Sequence, residues 1–439
     1  MPKLRWLLTV LIDSRESLIK MDWLRRKLTA RKAKRIRRDL KKNLYRKEYL
    51  VKNILEGLGL GRTLFTLDSH RNNNLRPAKI YQNDEQILLY KVSQMSGIEV
   101  RIVELNNINL IARSDGFIKN NVFFHPDLLL IDKDRHDPKN QAVKLKHVND
   151  TNHCAQIPKS LRKMRLFPGI TISLIKEHSF NYYHFVYECL PKLLLIQEKL
   201  KIYFTESSRT KPITILIDQH VPEQCLHYIN HSVSFSYEIE RLASDEVAHC
   251  ETLIYCSPFF NALDNTSVDS FSISDFYVDK YATLLVKKLA DSMATDKTTP
   301  SKLIYLDRKE GQKRRILNSD EMKKLLVEYN FDIIFPDQFS IPEQIALFQS
   351  AICVVGASGA AFANIIHMQA GTTAVVLSPN LSLTNYHIFE QQAEAANVNL
   401  IHLQTNNLNK IKRLHDDSYV NTELLKSLFS SLNIQEKYS

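Results

Sequence analysis

A histidine and a glutamate four residues apart are the first residues in this sequence that could carry chemistry. They lie in the segment Asn181-Tyr-Tyr-His184-Phe-Val-Tyr-Glu188-Cys-Leu-Pro191-Lys-Leu, where the pattern predicts a helix over residues 181–201 despite Pro191. On a helix, the side chains of His184 and Glu188 would share one face. The carboxylate could then fix the tautomer of the imidazole, and the pair could exchange a proton near neutral pH. The alternative is a surface ion pair near the start of a helix.

A basic loop follows a predicted strand in the last third of the chain. Its sequence is Asp307-Arg308-Lys-Glu-Gly311-Gln-Lys-Arg314-Arg315-Ile-Leu-Asn318, and a helix is predicted to begin at its end. In an open α/β sheet, ligands bind beyond the carboxyl ends of the strands. Guanidinium groups pair well with phosphate oxygens, so this loop predicts a phosphate site. The arginines concerned are Arg308, Arg314 and Arg315. The alternative is a solvated basic loop in which Asn318 only caps the helix.

A motif of small residues follows another predicted strand and opens another helix. It is Cys353-Val-Val-Gly356-Ala-Ser-Gly359-Ala-Ala-Phe-Ala-Asn364. Small side chains let the backbone approach a ligand, and the free N–H groups at a helix start attract phosphate. The motif has neither the lysine of a Walker loop nor the spacing of a GxGxxG fingerprint. A tight crossing from strand to helix is the alternative.

Strands alternate with helices through most of the chain, which predicts an α/β fold with doubly wound parallel sheets. The predicted strands are 213–218, 233–237, 252–256, 303–306, 332–335, 352–355, 374–377 and 400–403. Capping boxes are predicted at Asn318 with Glu321 and at Ser340 with Glu343. We expect two Rossmann-like domains facing a cleft: residues 51–293, with a β-rich section at about 99–131, and residues 302–439, joined by a linker over 294–301. Helices are predicted over 276–293 and 421–432.

The net charge of +11 is concentrated in the first 50 residues. This arm holds 17 Lys+Arg and 5 Asp+Glu, whereas the other 389 residues hold 42 and 43. The body therefore has no bulk attraction for nucleic acid, and we expect no such partner. In the arm, apolar residues at helical spacing and both tryptophans precede a basic run over 31–47. This pattern predicts a basic amphipathic helix over 1–50 on an anionic membrane surface, with a helix packed on the body or an RNA-binding tail as alternatives.

Other features of the sequence indicate a cytoplasmic protein. No apolar stretch approaches the roughly 18–20 residues of a membrane span. The apolar run at 6–12 is too short for a signal peptide and lacks a small-residue cleavage site. The cysteines form no CxxC pair and no zinc spacing, which is typical of reduced, buried thiols. We therefore expect a cytoplasmic protein that associates peripherally with the inner face of the cell membrane.

One short acidic pattern could instead indicate a metal site. Asp132-Lys133-Asp134 follows the apolar segment 128–131, as a metal-binding DxD motif would follow a strand. Such carboxylates can hold a divalent ion on a nucleotide diphosphate. However, a three-residue pattern is common in a chain with 48 acidic residues, and the sequence after it indicates a polar loop. We therefore predict no metal site.

Taken in this order, the three clusters resemble glycosyltransferase family 61, which includes bacterial capsular and surface-polysaccharide glycosyltransferases. Residues 181–193 are similar to the family's N-Y-x-H-W/F-x-x-[DE]-x-L-P-[RK]-L element, and residues 305–318 are similar to its S-R-x(n)-R-x-[IL]-x-N element. Three further segments resemble the family's C-terminal strand–helix pattern: 336–344, 354–365 and 371–379. The sequence departs from the family at Ser358, where many members carry a histidine.

The resemblance implies a GT-B-like architecture, inversion at the sugar carbon and no obligatory metal or other cofactor. It implies a nucleotide-sugar donor bound mainly by the C-terminal domain, and a growing glycan or lipid-linked glycan as acceptor. The implied donor-binding residues are Arg308, Arg314, Arg315, Asn318, Ser358, Gly359, Ala360, Ala361 and Asn364. His184 and Glu188 would be the catalytic pair, one as the base that deprotonates the acceptor hydroxyl and the other orienting it, with their order left open.

The sequence therefore predicts an inverting, metal-independent glycosyltransferase that builds a cell-surface polysaccharide. Two alternatives stay open. One is a metal-dependent glycosyltransferase that uses Asp132 and Asp134. The other is a non-catalytic scaffold that binds nucleic acid through the basic arm.

Overall fold

The computed structural model describes most of the chain beyond the basic arm. The described residues are 49–67, 76–89, 100–125, 144–149, 152–156, 163–176, 178–207, 211–262, 276–278, 280–294, 299–309, 314–379, 386–406 and 417–435. The arm up to residue 48, the pair Asp132 and Asp134, and residues 295–298 of the predicted linker lie outside them. Within these ranges, no helix combines the length and the apolar character that crossing a membrane requires.

The first sheet joins a parallel part to an antiparallel part. Its parallel strands, in spatial order, are Tyr237–Leu242, Ile213–Asp218, Lys163–Ser173 and Glu246–Cys256. Val100–Ile111 pairs antiparallel with Glu246–Cys256 along most of its length. The sheet continues through Phe117–Lys119, Val122–His125, Tyr49–Asn53, Asn152–Gln156 and Lys144–Asn149, while Arg62–Leu67 also pairs with Val100–Ile111. Residues 100–125, the described part of the β-rich section expected at about 99–131, therefore extend this sheet.

The second sheet is parallel apart from one hairpin at its edge. Its order is Phe331–Ile334, Lys302–Leu306, Ala351–Ala357, Thr373–Pro379, Asn399–Thr405, Ala78–Gln82 and Glu85–Leu89. The first five strands follow the order 2-1-3-4-5, which is doubly wound. In such a sheet the strand order changes direction between strands 1 and 3, which here are Lys302–Leu306 and Ala351–Ala357. The five strands predicted between 303 and 403 are confirmed.

The hairpin of the second sheet comes from the other half of the sequence. Ala78–Gln82 pairs in parallel with Asn399–Thr405, so Ile401 lies beside Lys79. Ile80 and Tyr81 are buried in this position, and the Tyr81 hydroxyl lies 2.9 Å from Ser427 Oγ. Pairing in the second sheet therefore joins strands that lie far apart in the chain. The domain division expected at 294–301 stays a prediction.

Helices cover the sheets, and helices from both halves of the chain contribute to one large core. They are Ile54–Leu58, Tyr182–His184, Phe185–Cys189, Leu190–Ser207, Glu223–Cys225, Leu226–Ser232, Lys280–Ser292, Ser319–Glu328, Pro336–Gln338, Ile341–Ser350, Ala360–His367, Glu390–Ala396 and Thr422–Ser431. Leu193 from the first half belongs to the same buried cluster as Phe362 and Phe389 from the second half. Since burial of apolar surface is the main favourable term in folding, this common cluster holds the two halves together.

The strand predicted over 233–237 is wrong. The short helix Leu226–Ser232 ends at Val233, and the strand is Tyr237–Leu242 at the edge of the first sheet. Glu238 and Glu240 interrupt its apolar pattern, because one side of an edge strand faces solvent. Phe235 lies in the connection between this helix and this strand, and it is buried there. Its apolar side chain therefore gave the connection the pattern of a strand.

The helix predicted over 276–293 is correct only from Lys280 onwards. Phe276–Val278 forms a strand that pairs antiparallel with Phe260–Ala262. Its aromatic and β-branched residues suit a strand, although they also continue the apolar pattern of the helix. The helix predicted over 421–432 is confirmed as Thr422–Ser431, with the Asn421 side chain accepting from two backbone N–H groups.

Candidate active site

The candidate site begins at the start of the helix of residues 182–207. Asn181 caps this helix, since its side-chain oxygen accepts a hydrogen bond from the Tyr183 N–H at 2.9 Å. The next turn, Phe185–Cys189, is a wide π-helical turn that ends just before Pro191. Proline has no N–H to donate, and wide turns of this kind are frequent at functional sites. The helix predicted from the sequence is therefore confirmed, with a distorted turn before the proline.

The imidazole of His184 and the carboxylate of Glu188 are hydrogen-bonded in this turn. His184 Nδ1 lies 2.7 Å from Glu188 Oε1, and the Lys176 ammonium lies 3.2 Å from the other oxygen, Oε2. Glu188 is 2% exposed, whereas the His184 side chain keeps 24% of its surface. Burial opposes ionisation of Glu188, but the charges of His184 and Lys176 outweigh it and hold the pKa of this carboxyl below its usual value.

The ionised state of Glu188 determines the tautomer of His184. An ionised carboxylate only accepts hydrogen bonds, so the proton in this contact belongs to His184 Nδ1. In the neutral imidazole, Nε2 then carries the lone pair and can accept a proton. The rings of His178 and Tyr183 flank the imidazole, with centroids 5.5 and 5.8 Å away. The sequence left the roles open, and this geometry favours His184 as the base and Glu188 as the residue that orients it.

Two arginines converge on one carbonyl group beyond the strands Lys302–Leu306 and Ala351–Ala357. Arg308 Nη2 donates to Ser358 O at 2.7 Å, and Arg314 Nη1 donates to the same oxygen at 2.9 Å. This is the point where the strand order of the second sheet changes direction, and ligands bind at such points in doubly wound sheets. Two guanidinium groups there form a positive site that suits a diphosphate.

The close approach of Arg308 to the small-residue motif depends on Gly359. A methyl group at position 359 would overlap the Arg308 guanidinium. Burial lowers the pKa of Arg308, although an arginine remains charged at neutral pH. Arg314 has a left-handed backbone with φ of 62°, which is uncommon outside glycine and concentrates at functional sites.

Replacing Gly359 with alanine tests this packing. We expect the Gly359→Ala variant to displace the Arg308 guanidinium, raise the KM for the donor and lower kcat/KM about tenfold or more, because a preorganised cation is lost from the leaving group. The matched control is Gly359→Ala in an Arg308→Met background. There the added methyl group should cost little more, because contacting residues are not additive. Full activity of Gly359→Ala, measured by steady-state kinetics, would contradict the prediction.

Arg315 and Asn318 contact the segment around residues 417–420 rather than the small-residue motif. Arg315 forms a two-pronged ion pair with Asp417, with Nη2 and Nε at 2.6 and 3.1 Å from Oδ2. The Asn318 amide exchanges hydrogen bonds with the Val420 backbone at 2.8 and 3.0 Å. The capping box predicted at Asn318 is wrong, because the amide is occupied by Val420 and makes no cap bond to its helix. Donor contact by these two residues stays a prediction.

Asn364 connects the small-residue motif to the histidine helix. It is 1% exposed, its Oδ1 accepts from the Tyr182 hydroxyl at 2.6 Å, and its Nδ2 donates to Gln344 Oε1 at 2.8 Å. One turn further along, the Tyr187 hydroxyl donates to Ala363 O at 2.6 Å. Asn364 therefore contributes by holding two helices together. Ser358, Gly359, Ala360 and Ala361 precede it, at the start of the helix Ala360–His367.

A comparison of the sequence with known protein families identifies a match that covers these site residues. Residues 182–376 match the model of the family described as Glycosyltransferase 61. This part of the chain is a glycosyltransferase family 61 domain. The protein is accordingly a glycosyltransferase, which binds a sugar donor and an acceptor, and the family resemblance noted in the sequence is confirmed. No curated protein matches the chain.

The family 61 domain spans all the predicted site residues, from His184 to Asn364. Its presence favours an enzyme over the non-catalytic scaffold. Among the described residues, no group of three or more His, Cys, Asp or Glu side chains is arranged to hold a metal ion. Asp132 and Asp134 lie outside the described residues, so the metal-dependent alternative stays untested.

Sequence reasoning missed a buried ion pair that connects the family 61 domain to a turn outside it. Lys192 Nζ lies 2.7 and 2.8 Å from the two oxygens of Asp115, and both side chains are almost fully buried. The Tyr255 hydroxyl donates to Asp115 O at 2.9 Å. Lys192 lies in the matched helix motif, but Ser114-Asp115-Gly116 has the sequence of an ordinary turn. The only signal was a lysine on the apolar part of the helix.

This ion pair and Glu188 make the fold sensitive to acid. Burial opposes ionisation of Asp115, but Lys192 and Lys176 outweigh it and lower its pKa. A lowered folded pKa adds stability above the unfolded value, and this stability is lost as the pH falls through the folded pKa. We therefore expect the thermal unfolding midpoint, Tm, to fall more steeply below about pH 4 in the wild type than in Asp115→Asn. Parallel pH curves from calorimetry would contradict this.

Proposed function

We propose that the protein is an inverting, metal-independent glycosyltransferase with a GT-B-like arrangement of two lobes. It transfers a sugar from a nucleotide-sugar donor to a growing cell-surface polysaccharide or a lipid-linked glycan. Family 61 membership supports the transfer of a sugar. The doubly wound second sheet, with its ligand edge beside Arg308 and Arg314, supports a nucleotide-sugar donor in the C-terminal half.

One observation carries the proposal. The helix with His184 and the helix that begins after Gly359 are joined by the hydrogen bonds of Tyr182 and Tyr187. The helix that carries the proposed proton acceptor therefore contacts the helix that follows Ser358, the residue whose carbonyl oxygen accepts from both arginines of the proposed diphosphate site. A transferase needs this combination, because a base must act on the acceptor while cations stabilise the leaving group.

The proposed reaction is a single displacement. The acceptor oxygen attacks the anomeric carbon of the donor, the bond from that carbon to the diphosphate oxygen breaks, and the acceptor proton moves to His184 Nε2. Glu188 accepts from the Nδ1–H throughout and stabilises the imidazolium that forms. Arg308 and Arg314, with the N–H groups at the start of the helix Ala360–His367, stabilise the negative charge on the diphosphate. Attack opposite to the leaving group inverts the anomeric centre.

The stereochemistry and metal dependence of the reaction test this proposal together. A thermal-shift screen of nucleotide sugars with the purified full-length chain identifies the donor, because a ligand that binds the folded state raises Tm. Transfer or donor hydrolysis followed by proton NMR should then give the inverted anomer first. Activity should survive EDTA. Retention of configuration, or loss of activity in EDTA with recovery on adding a divalent ion, would refute the corresponding part of the proposal.

We further propose that the basic arm holds the enzyme at the inner face of the cell membrane. Each basic residue near an anionic surface contributes about 1 kcal/mol, and this attraction is screened by salt. The full-length chain should float with vesicles containing phosphatidylglycerol and much less with pure phosphatidylcholine. Changing the lysines and arginines of residues 31–47 to glutamine should remove the difference. Equal flotation with both vesicles would overturn this proposal.

A further inference from the structure

A row of alternating buried charges extends from the catalytic pair into the first sheet. His184, Glu188 and Lys176 are joined by direct contacts, and Asp115 and Lys192 form a second ion pair. The charge of Lys176 connects the two groups, because it lowers the pKa of Asp115. Glu188, Asp115 and Lys192 are 2, 6 and 3% exposed, and Lys176 is 10% exposed. Charges are rarely buried without partners, because removing them from water is costly. The row has two carboxylates and two ammonium groups, so it is neutral while His184 is neutral.

Lys176 holds the central place in this row. Its ammonium lies 3.2 Å from Glu188 Oε2, while Oε1 of the same carboxylate is bonded to His184 at 2.7 Å. Lysine and histidine thus take opposite oxygens of one carboxylate, which fixes its rotation. The positive charge of Lys176 also acts on Asp115. Lys176 follows the strand Lys163–Ser173, so it lies outside the family 61 domain and outside the segments that the sequence singled out.

We propose that Lys176 is a positioning residue for sugar transfer, which keeps Glu188 ionised and aimed at His184 Nδ1. This inference rests on the proposed role of His184 as the base. Without the ammonium, one oxygen of a buried carboxylate would face no cation, and Glu188 would be free to rotate or to take up a proton. A protonated Glu188 would no longer fix the Nδ1–H tautomer, so Nε2 would lose its lone pair for part of the time.

The loss of Lys176 has a defined effect on pH dependence. The groups that face the pair are His178 and Tyr183 beside the imidazole, Lys176 beside the carboxylate, and Asp115 with Lys192 one step further. Removing a cation favours uptake of a proton by the coupled pair as a whole. Since the protonated pair is inactive, the acid limb of the pH–rate profile should move to higher pH.

The experiment compares Lys176→Met with Lys176→Arg and with Lys192→Met, in the full-length chain. Lys192→Met is the matched control, because it removes the other buried ammonium of the row without touching Glu188. We expect Lys176→Met to lower kcat about tenfold or more, to leave the donor KM nearly unchanged, and to move the acid limb upwards by about one pH unit. Lys176→Arg should restore most of the kcat and most of the position of the acid limb. Lys192→Met should leave the position of the acid limb unchanged.

A spectroscopic measurement separates positioning from a general structural role. The ¹⁵N chemical shifts of the His184 ring report which nitrogen carries the proton. They should show the Nδ1–H tautomer in the wild type and a mixture in Lys176→Met. If that variant does not fold, Lys176→Gln, which keeps polarity without charge, takes its place.

An unchanged acid limb and tautomer in the Lys176 variants, or an equal shift in Lys192→Met, would overturn the inference. In that case His184→Gln would still be inactive. By contrast, near-normal turnover in His184→Gln would overturn the proposed base itself, and with it the reaction on which Lys176 is proposed to act.

Discussion

Replacing His184 with glutamine should lower kcat for sugar transfer about 10²- to 10⁴-fold. Glutamine keeps a polar side chain near Glu188 but has no nitrogen that takes up a proton at neutral pH. The KM for the donor should change little, because the positive site lies at Arg308 and Arg314. Glu188→Gln should cause a loss of the same order, because an amide no longer fixes the Nδ1–H tautomer. Steady-state kinetics with the donor found by thermal shift measures both.

The matched control for this prediction is His220→Gln. His220 is an exposed histidine after the strand Ile213–Asp218, and its ring contacts the Gln219 side chain. Its loss should leave transfer unchanged. His184→Gln and His220→Gln should keep the Tm of the wild type to within a few degrees. Glu188→Gln should unfold cooperatively at a lower Tm, because Lys176 loses the charge of its partner. Near-normal turnover in both His184→Gln and Glu188→Gln would refute the assignment of this pair.

Replacing Arg308 with methionine should lower kcat/KM about 10²- to 10³-fold, equivalent to roughly 2.7–4 kcal/mol of transition-state stabilisation. Methionine keeps most of the apolar stem and removes the cation, so packing beside Gly359 is largely retained. The value of kcat should fall and the donor KM should rise, because the diphosphate carries charge in the bound donor and gains more negative charge as it leaves. Arg314→Met should act in the same direction, since both guanidinium groups bond the Ser358 carbonyl.

Variants of two further arginines serve as a control and as a test of the sequence prediction. Arg62→Met removes one exposed ion pair with Glu104 in the first sheet and should leave transfer unchanged. Arg315→Met tests the phosphate role predicted from the sequence for a residue that is 55% exposed and paired with Asp417. A raised donor KM and slower turnover would support that role, and retained donor binding would count against it. Wild-type kinetics in Arg308→Met would remove the positive site from the mechanism.

The elements that the sequence predicted correctly are those with strong local patterns. The buried strands Ile213–Asp218 and Ala351–Ala357 are apolar runs, as expected for parallel strands covered on both faces. The contact between His184 and Glu188 needs only helical spacing, so it too could be predicted. The edge strand Tyr237–Leu242 could not, because its exposed side carries charge and its pattern is weak.

The site contacts that the sequence missed all depend on tertiary structure. Asp115 and Lys192 are 77 residues apart, and no local rule connects a turn to a helix. The arginine loop could be placed at the correct edge of the sheet, but the directions of neighbouring side chains could not. Arg314 points to Ser358 and Arg315 to Asp417, and the left-handed backbone at Arg314 has no sequence signature of its own.

The hairpin of residues 78–89 has a consequence for synthesis of the protein. Lys79 bonds the side chain of Asn399, 320 residues later, so this strand leaves the ribosome long before its partner exists. At roughly 5–20 residues per second, the delay is about 15–60 s. Translation pauses or early termination in that interval should favour aggregation, because an unpaired strand edge recruits other chains.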